Sequence, residues 1–148
     1  MPRHPAGFAS CLAVALLMFG PGAADAQTGR QYDSSGRSIG RTEGQGTQRQ
    51  YDGSGRYTGR SETRGGSTRH YDAAGRSEGR SEQHGDTSRH YDASGRSTGR
   101  TEWSGDRARL YDSSGRSTGR IERSGDTWRR YDAQGRLVGR GTGPAPDR

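Results

Sequence analysis

Apolar residues are spread unevenly along the chain. Residues 11–19 (CLAVALLMF) form one continuous apolar run. Beyond residue 26 the large apolar and aromatic side chains reduce to Ile39, Trp103, Leu110, Ile121, Trp128, Leu137, Val138 and seven Tyr. The rest of that segment is mostly Gly, Ser, Thr, Arg, Asp and Glu without a 3.6-residue apolar period, so no amphipathic helix is predicted. What recurs instead is tyrosine. Tyr32, Tyr51, Tyr71, Tyr91, Tyr111 and Tyr131 are spaced by 19, 20, 20, 20 and 20 residues. A fixed period of this kind outranks other local signals.

Every unit has Arg two before its Tyr and Asp one after it. Gly follows four after the Tyr (Gly36, Gly55, Gly75, Gly95, Gly115, Gly135), then Arg at five, Gly at eight and Arg at nine. Glu stands at eleven in five units (Glu43, Glu62, Glu82, Glu102, Glu122), and the sixth has Thr142 there. The D-x-x-G step is a turn: Asp accepts backbone N–H groups, and Gly takes the left-handed conformation that closes a bulged hairpin. A second break lies at segments such as Ser104-Gly105-Asp106, and the one-residue deletion between Glu43 and Tyr51 falls around it. Each unit therefore reads as two short antiparallel strands, 127–131 and 136–140 in the last copy.

A three-residue bulged hairpin pairs Tyr131 with Leu137 and Arg129 with Gly139. That register predicts one face carrying Tyr, the Arg two before it and small return-strand residues. It puts Asp, both return-strand Arg and Glu on the other. The Gly at eight marks a close approach by another sheet, another copy or the neighbouring Tyr. The expected fold is all-β: six tandem β-hairpins, about twelve short strands in all, forming a single-layer open meander or an irregular β-solenoid. The apolar content, 24%, is too small for an ordinary two-layer core, and a largely disordered mature chain is the alternative.

Charge and targeting refine this picture. The net charge is +7, and every basic side chain other than His is Arg. Arg3 and His4 precede the apolar run, Gly20-Pro21-Gly22 breaks it, and Ala24-Asp25-Ala26 fits a small-x-small cleavage site. Residues 1–26 are therefore expected to be a signal peptide cut after Ala26, too short in its apolar run to span a bilayer. The repeats occupy 27–141, and 142–148, with Pro144 and Pro146, form a flexible C-terminal tail. Cys11 is the only cysteine, so the mature chain has no disulfide, thiol chemistry or Cys metal site.

The six Y-D-x-x-G-R motifs resemble the YD repeats of the Rhs and teneurin families, with Arg129-x-Tyr131-Asp132-x-x-Gly135-Arg136-Leu137 the nearest copy. More distantly the hairpins resemble MORN-type repeats. The YD resemblance covers residues 30 to 140. It implies hairpins wound into a continuous sheet, which in that family forms a large shell linked to cell-surface contact and carbohydrate binding. Most copies here carry Ser or Tyr after G-R where the family prefers an apolar residue, and the array is too short for a shell.

No catalytic residues, cofactor or metal are expected. Each Asp and Glu of the motif recurs at a fixed phase near an Arg, whereas acid–base chemistry needs carboxylates in unlike environments. His70 and His90, both just before a Tyr, and His84 in the second turn read as exposed polar residues, with no ligand spacing. The candidate ligand contacts are the return-strand Arg rows: Arg76, Arg80, Arg96, Arg100, Arg116 and Arg120. Arg forks suit sulfate, phosphate and carboxylate, and Tyr and Trp add stacking surfaces. The competing reading is a self-neutralised lattice, because 23 Arg face 16 acids once residues 1–26 are removed. The expected role is a periplasmic or secreted non-enzymatic module, binding or structural, contacting an anionic envelope polymer or a protein. An extracellular Arg/Gly-rich nucleic-acid binder and a self-associating structural strip are the rivals. The targeting reading predicts that exported protein begins at Gln27. Intact-mass measurement checks this, and a mature chain still carrying Met1 would refute it.

Overall fold

A computed structural model of the chain describes residues 28–143. The expected signal peptide and residues 144–148 lie outside the described residues. Twelve strands follow in order: β1 (Gly29–Asp33), β2 (Ser38–Glu43), β3 (Thr47–Asp52), β4 (Tyr57–Arg64), β5 (Ser67–Asp72), β6 (Ser77–His84), β7 (Thr87–Asp92), β8 (Ser97–Ser104), β9 (Arg107–Asp112), β10 (Ser117–Ser124), β11 (Thr127–Asp132) and β12 (Leu137–Thr142). Thr142, expected in the tail, is the last residue of β12.

The D-x-x-G turns form as the residues dictate. Asp92 N–H donates to the Arg96 carbonyl at 2.9 Å and Gly95 N–H to the Asp92 carbonyl at 3.0 Å. The Asp92 carboxylate accepts the backbone N–H of Ser94 and of Arg96, both at 2.9 Å. Gly95 sits at φ 84°, a left-handed conformation costly for other residues. The second connection is a two-residue turn. Gly65 and Gly66 both have positive φ (58° and 77°), as a type I′ hairpin requires. The one-residue deletion falls in the Gly44-Gln45-Gly46 connection between β2 and β3.

Consecutive strands pair antiparallel, and β1 also pairs with β12. At that seam Tyr32 lies opposite Arg140, Gln31 opposite Gly141 and Arg30 opposite Thr142. The same phases meet between the first two units: Tyr51 with Arg41, Gln50 with Thr42 and Arg49 with Glu43. The sixth unit hands on to the first as any unit does to the next. The sheet is therefore a closed twelve-stranded antiparallel barrel. This corrects the open meander and the β-solenoid, and also the disordered alternative; the all-β class and the hairpin units stand. Closure follows because each unit carries the same D-x-x-G turn and the same bulge, so curvature accumulates evenly. The two free edges then satisfy each other's N–H and C=O groups.

The bulge also corrects the expected faces. Tyr91 pairs with Ser97, but His90 pairs with Gly99, leaving Thr98 as an extra residue. In the last unit Tyr131 does pair with Leu137, whereas Arg129 pairs with Arg140 rather than Gly139. The close approach marked by Gly at eight is the next unit's Tyr backbone. A Cβ at Gly99 would stand 2.2 Å from the Tyr111 carbonyl oxygen. Past the bulge the return strand is inverted. Arg at nine and Glu at eleven share the outer face with Tyr and the preceding Arg, and residue ten turns inward.

The inward phases are three and one before each Tyr, eight and ten after it and, in the longer return strands, twelve after it. Apolar residues cluster on one side: Trp103, Ala108, Leu110, Ile121 and Trp128 are all buried. The other side is polar and bonded strand to strand. Gln50 Nε2 donates to Ser61 Oγ at 2.9 Å, and Ser61 Oγ meets His70 Nδ1 at 2.9 Å. His70 Nε2 lies 3.4 Å from Ser81 Oγ. Ser81 Oγ in turn meets His90 Nδ1 at 3.1 Å, and His90 Nε2 meets Thr101 Oγ1 at 3.0 Å. The chain of contacts crosses β3 to β8. His70, expected to be exposed, is 1% exposed, and His90 is half-buried; the inverted parity places both inside. His84 is exposed, as expected.

Two expectations follow. Thr28 and Gly143 end at the same rim, where a Cβ at Gly143 would lie 3.1 Å from the Gly29 Cα. A circular permutant that joins 143 to 28 and opens the Gly85-Asp86 turn should keep a wild-type circular dichroism spectrum and a cooperative melt. An open strip would not tolerate that linkage. The second concerns acid. Burial, and secondarily the charge of His90, lowers the His70 pKa to about 4. The unfolded chain then binds more protons between about 6.5 and 4, so stability falls as pH drops through that window, by roughly 3 kcal/mol at most. Urea midpoints against pH should show this slope, and His70→Gln should flatten it. The turn carboxylates act lower: hydrogen bonding from Ser114 and the Arg116 backbone brings Asp112 to about 2, so its contribution disappears only below about pH 4.

Candidate functional site

The outer wall carries the repeated polar residues. One row runs across four strands: Glu82 lies opposite Arg89, Arg89 opposite Arg100, and Arg100 opposite Tyr111. The Arg100 guanidinium sits over the Tyr111 ring, 4.2 Å from its centroid, and its Nε donates to Glu102 Oε1 at 2.6 Å. The stack recurs as Arg41 on Tyr51, Arg60 on Tyr71, Arg80 on Tyr91 and Arg120 on Tyr131. Bonding from Arg100 holds the Glu102 carboxyl below its ordinary range, with Arg109 adding a weaker pull.

This geometry divides the candidate arginines into two belts. Arg80, Arg100 and Arg120 stand in the outer wall, each held by a Glu at 2.9, 2.6 and 3.1 Å. Arg76, Arg96 and Arg116 stand at the D-x-x-G rim, before their strands begin. Their backbone N–H groups bind Asp72, Asp92 and Asp112, and Arg116 Nε also reaches Asp112 Oδ2 at 3.2 Å. The bulge separates the belts, so Arg96 and Arg100 do not form one strand face. The repeat-marking Tyr residues are half-buried on the outer wall, and the marker glycines occupy the turns.

The most open cations lie elsewhere. Arg30, Arg49, Arg69, Arg89, Arg109 and Arg129 are all exposed. None of the six makes an ion pair among the described residues. Each is flanked by a like charge on one side, and the Glu on the other side is already bound by its own strand's Arg; at the seam Thr142 takes that Glu's place. Like charges directly opposite across strands repel, so these side chains extend into solvent. The constant Arg two before Tyr was visible in the sequence, but its openness depends on the bulge parity.

Two clefts of about 490 and 420 Å³ repeat this chemistry between successive hairpin ends. The first is lined by Glu62, Arg64, Ser67 and Arg69, and the second by Asp106, Arg107, Glu122, Arg123 and Arg129. Such mixed, polar, open troughs can exchange hydrogen bonds with hydroxyls and ion pairs with acidic groups. Among the described residues no group of three His, Cys, Asp or Glu could hold a metal, and no helix is long and apolar enough to cross a membrane. The chain matches no family model, no curated protein and no solved structure.

Proposed function

We propose that the chain is an exported, non-enzymatic module that holds an anionic polymer, of the kind found at a cell envelope, against its outer wall. The observation that carries this reading is the row of six exposed arginines, one per unit, beside polar clefts. Arg forks match sulfate, phosphate and carboxylate geometry, and weak contacts repeated around one body add through avidity. The motif carboxylates support a structural duty: each Glu–Arg and Asp–turn pairing recurs in like form, without the unlike pair that acid–base catalysis needs. The hairpin unit resembles a YD repeat through its Y-D-x-x-G-R motif alone.

The rivals lose ground for stated reasons. Five of the six repeat Tyr rings are covered on one face by Arg, which favours charge contacts over base stacking. Closure also removes the free edges through which an open strip would self-associate.

Retention on an anionic polysaccharide column, between low and physiological salt, tests the proposal. Arg89→Ser/Arg109→Ser/Arg129→Ser should elute at clearly lower salt than wild type. Arg80→Ser/Arg100→Ser/Arg120→Ser should shift less, because those guanidinium groups are engaged with Glu and Tyr. Retention should fall steeply with salt, since screening acts within about 8–10 Å at physiological strength. Equal elution of the first variant and wild type would refute the proposal.

A further inference from the structure

The sixth unit departs from the others at one inward phase. The residue before Tyr is Gln31, Gln50, His70, His90 and Leu110 in turn, and then Arg130. Arg130 is half-buried just inside the D-x-x-G rim, and its guanidinium makes no ion pair among the described residues. It lines a pocket of about 290 Å³ that spans β10, β11, β12, β1 and β2 across the seam. Trp128, Ile39 and Val138 form much of the apolar wall. Ile39 and Val138 are 46% and 44% exposed, the exposed large hydrophobics among the described residues. Both occupy the bulge position, where the other units carry Thr58, Glu78, Thr98 and Thr118. The seam thus gathers apolar side chains at a mouth that is otherwise polar.

We infer that this barrel mouth binds a small amphipathic anion, a carboxylate on a compact apolar body, with Arg130 taking the carboxylate. The acid that shares this pocket does not serve Arg130. Asp132 lines the same pocket, but its Oδ2 accepts from Arg136 Nε at 2.8 Å and its Oδ1 from the backbone N–H groups of Gln134 and Arg136. A half-buried guanidinium beside apolar walls and without a counter-ion is costly unless a partner arrives. The pocket volume suits a body about the size of a benzene ring or a short acyl chain, and barrel mouths are common ligand sites. The competing explanation is that the Arg130 stem only covers the apolar rim. That explanation needs no anion and predicts no preference for one.

Titration calorimetry of the full mature chain with benzoate and hexanoate separates the two, with benzyl alcohol and hexanol as uncharged controls. Saturable binding of the carboxylates is expected, at least tenfold tighter than the alcohols. Arg130→Gln should weaken it at least tenfold; Gln stands at this phase in two other units, so the barrel should fold. Ile39→Thr/Val138→Thr should weaken carboxylates and alcohols alike. Polysaccharide retention should be unchanged in Arg130→Gln, which keeps this site distinct from the outer wall. Absence of saturable carboxylate binding, or equal affinity in wild type and Arg130→Gln, would overturn the inference.

Discussion

The backbone of one glycine per unit, packed against the carbonyl of the next unit's tyrosine, sets the geometry of the whole barrel. At Gly79, Gly99 and Gly119 a Cβ would stand 2.2 Å from that oxygen, so no other residue fits without moving the neighbouring strand. The extra residue just before this glycine bends the return strand and inverts its alternation. Three consequences follow together. Arg at nine arrives on the face of the next Tyr and stacks on it. Residue ten turns inward, so the lumen is lined by Thr42, Ser61, Ser81, Thr101 and Ile121, all buried. The added curvature, repeated six times, brings β12 to β1 in the register used between every other pair of units.

The interior shows how a chain poor in apolar residues fills a barrel. Its two halves use different means. Units four to six supply Trp103, Ala108, Leu110, Ile121 and Trp128, whose burial contributes through the hydrophobic effect. Units two to four supply Ser, Thr, Gln and His, whose mutual hydrogen bonds offset the cost of burying them, for a net of about 0.5–1.5 kcal/mol per bond. The satisfaction is incomplete near the seam. Thr42 Oγ1, Gln48 Oε1 and Trp128 Nε1 are buried without a protein partner. Gly141 leaves room there that the Trp128 ring occupies, its Cζ2 2.3 Å from where a Cβ would stand. The first and last units are the ones in which the repeat is least regular, and the seam concentrates both the polar mismatch and the apolar mouth.

Local chemistry was legible in the sequence, and accumulated geometry was not. Asp and Gly at their spacing fixed the D-x-x-G turn, the two strands per unit and the Tyr131–Leu137 pair. Closure depends on a small curvature summed over six units, which no single unit displays. The face assignment failed on one inserted residue, since a one-residue slip moves every later side chain to the other side of a strand. A signal for the true parity was present: Trp128, Leu110 and Ile121 stand three before, one before and ten after a Tyr, and those are the inward phases. The same error hid His70, read as exposed, and Arg130, whose phase was not singled out. The same parity puts Arg80, Arg100 and Arg120 in the grip of Glu and leaves the row at Arg89 and Arg109 open.

The units differ from one another at some phases and not at others. One inward phase varies freely: the position before Tyr holds an amide, an imidazole, an aliphatic chain or a guanidinium, and the barrel accommodates each. Four outer phases hardly vary. Arg, Tyr and Arg recur six times and Glu five. Yet the outer ion pairs contribute little to stability: the Arg100 and Glu102 side chains are 37% and 41% exposed, and such pairs are worth about 0–1 kcal/mol. The stack of Arg on Tyr adds only about 0.5–1 kcal/mol at exposed sites. The invariant positions are not all on the outer face: Gly at eight faces inward and recurs in all six units, where it meets the next unit's Tyr carbonyl. Among the invariant outer residues, the Arg two before each Tyr is exposed and makes no ion pair among the described residues, so its guanidinium stays in solvent.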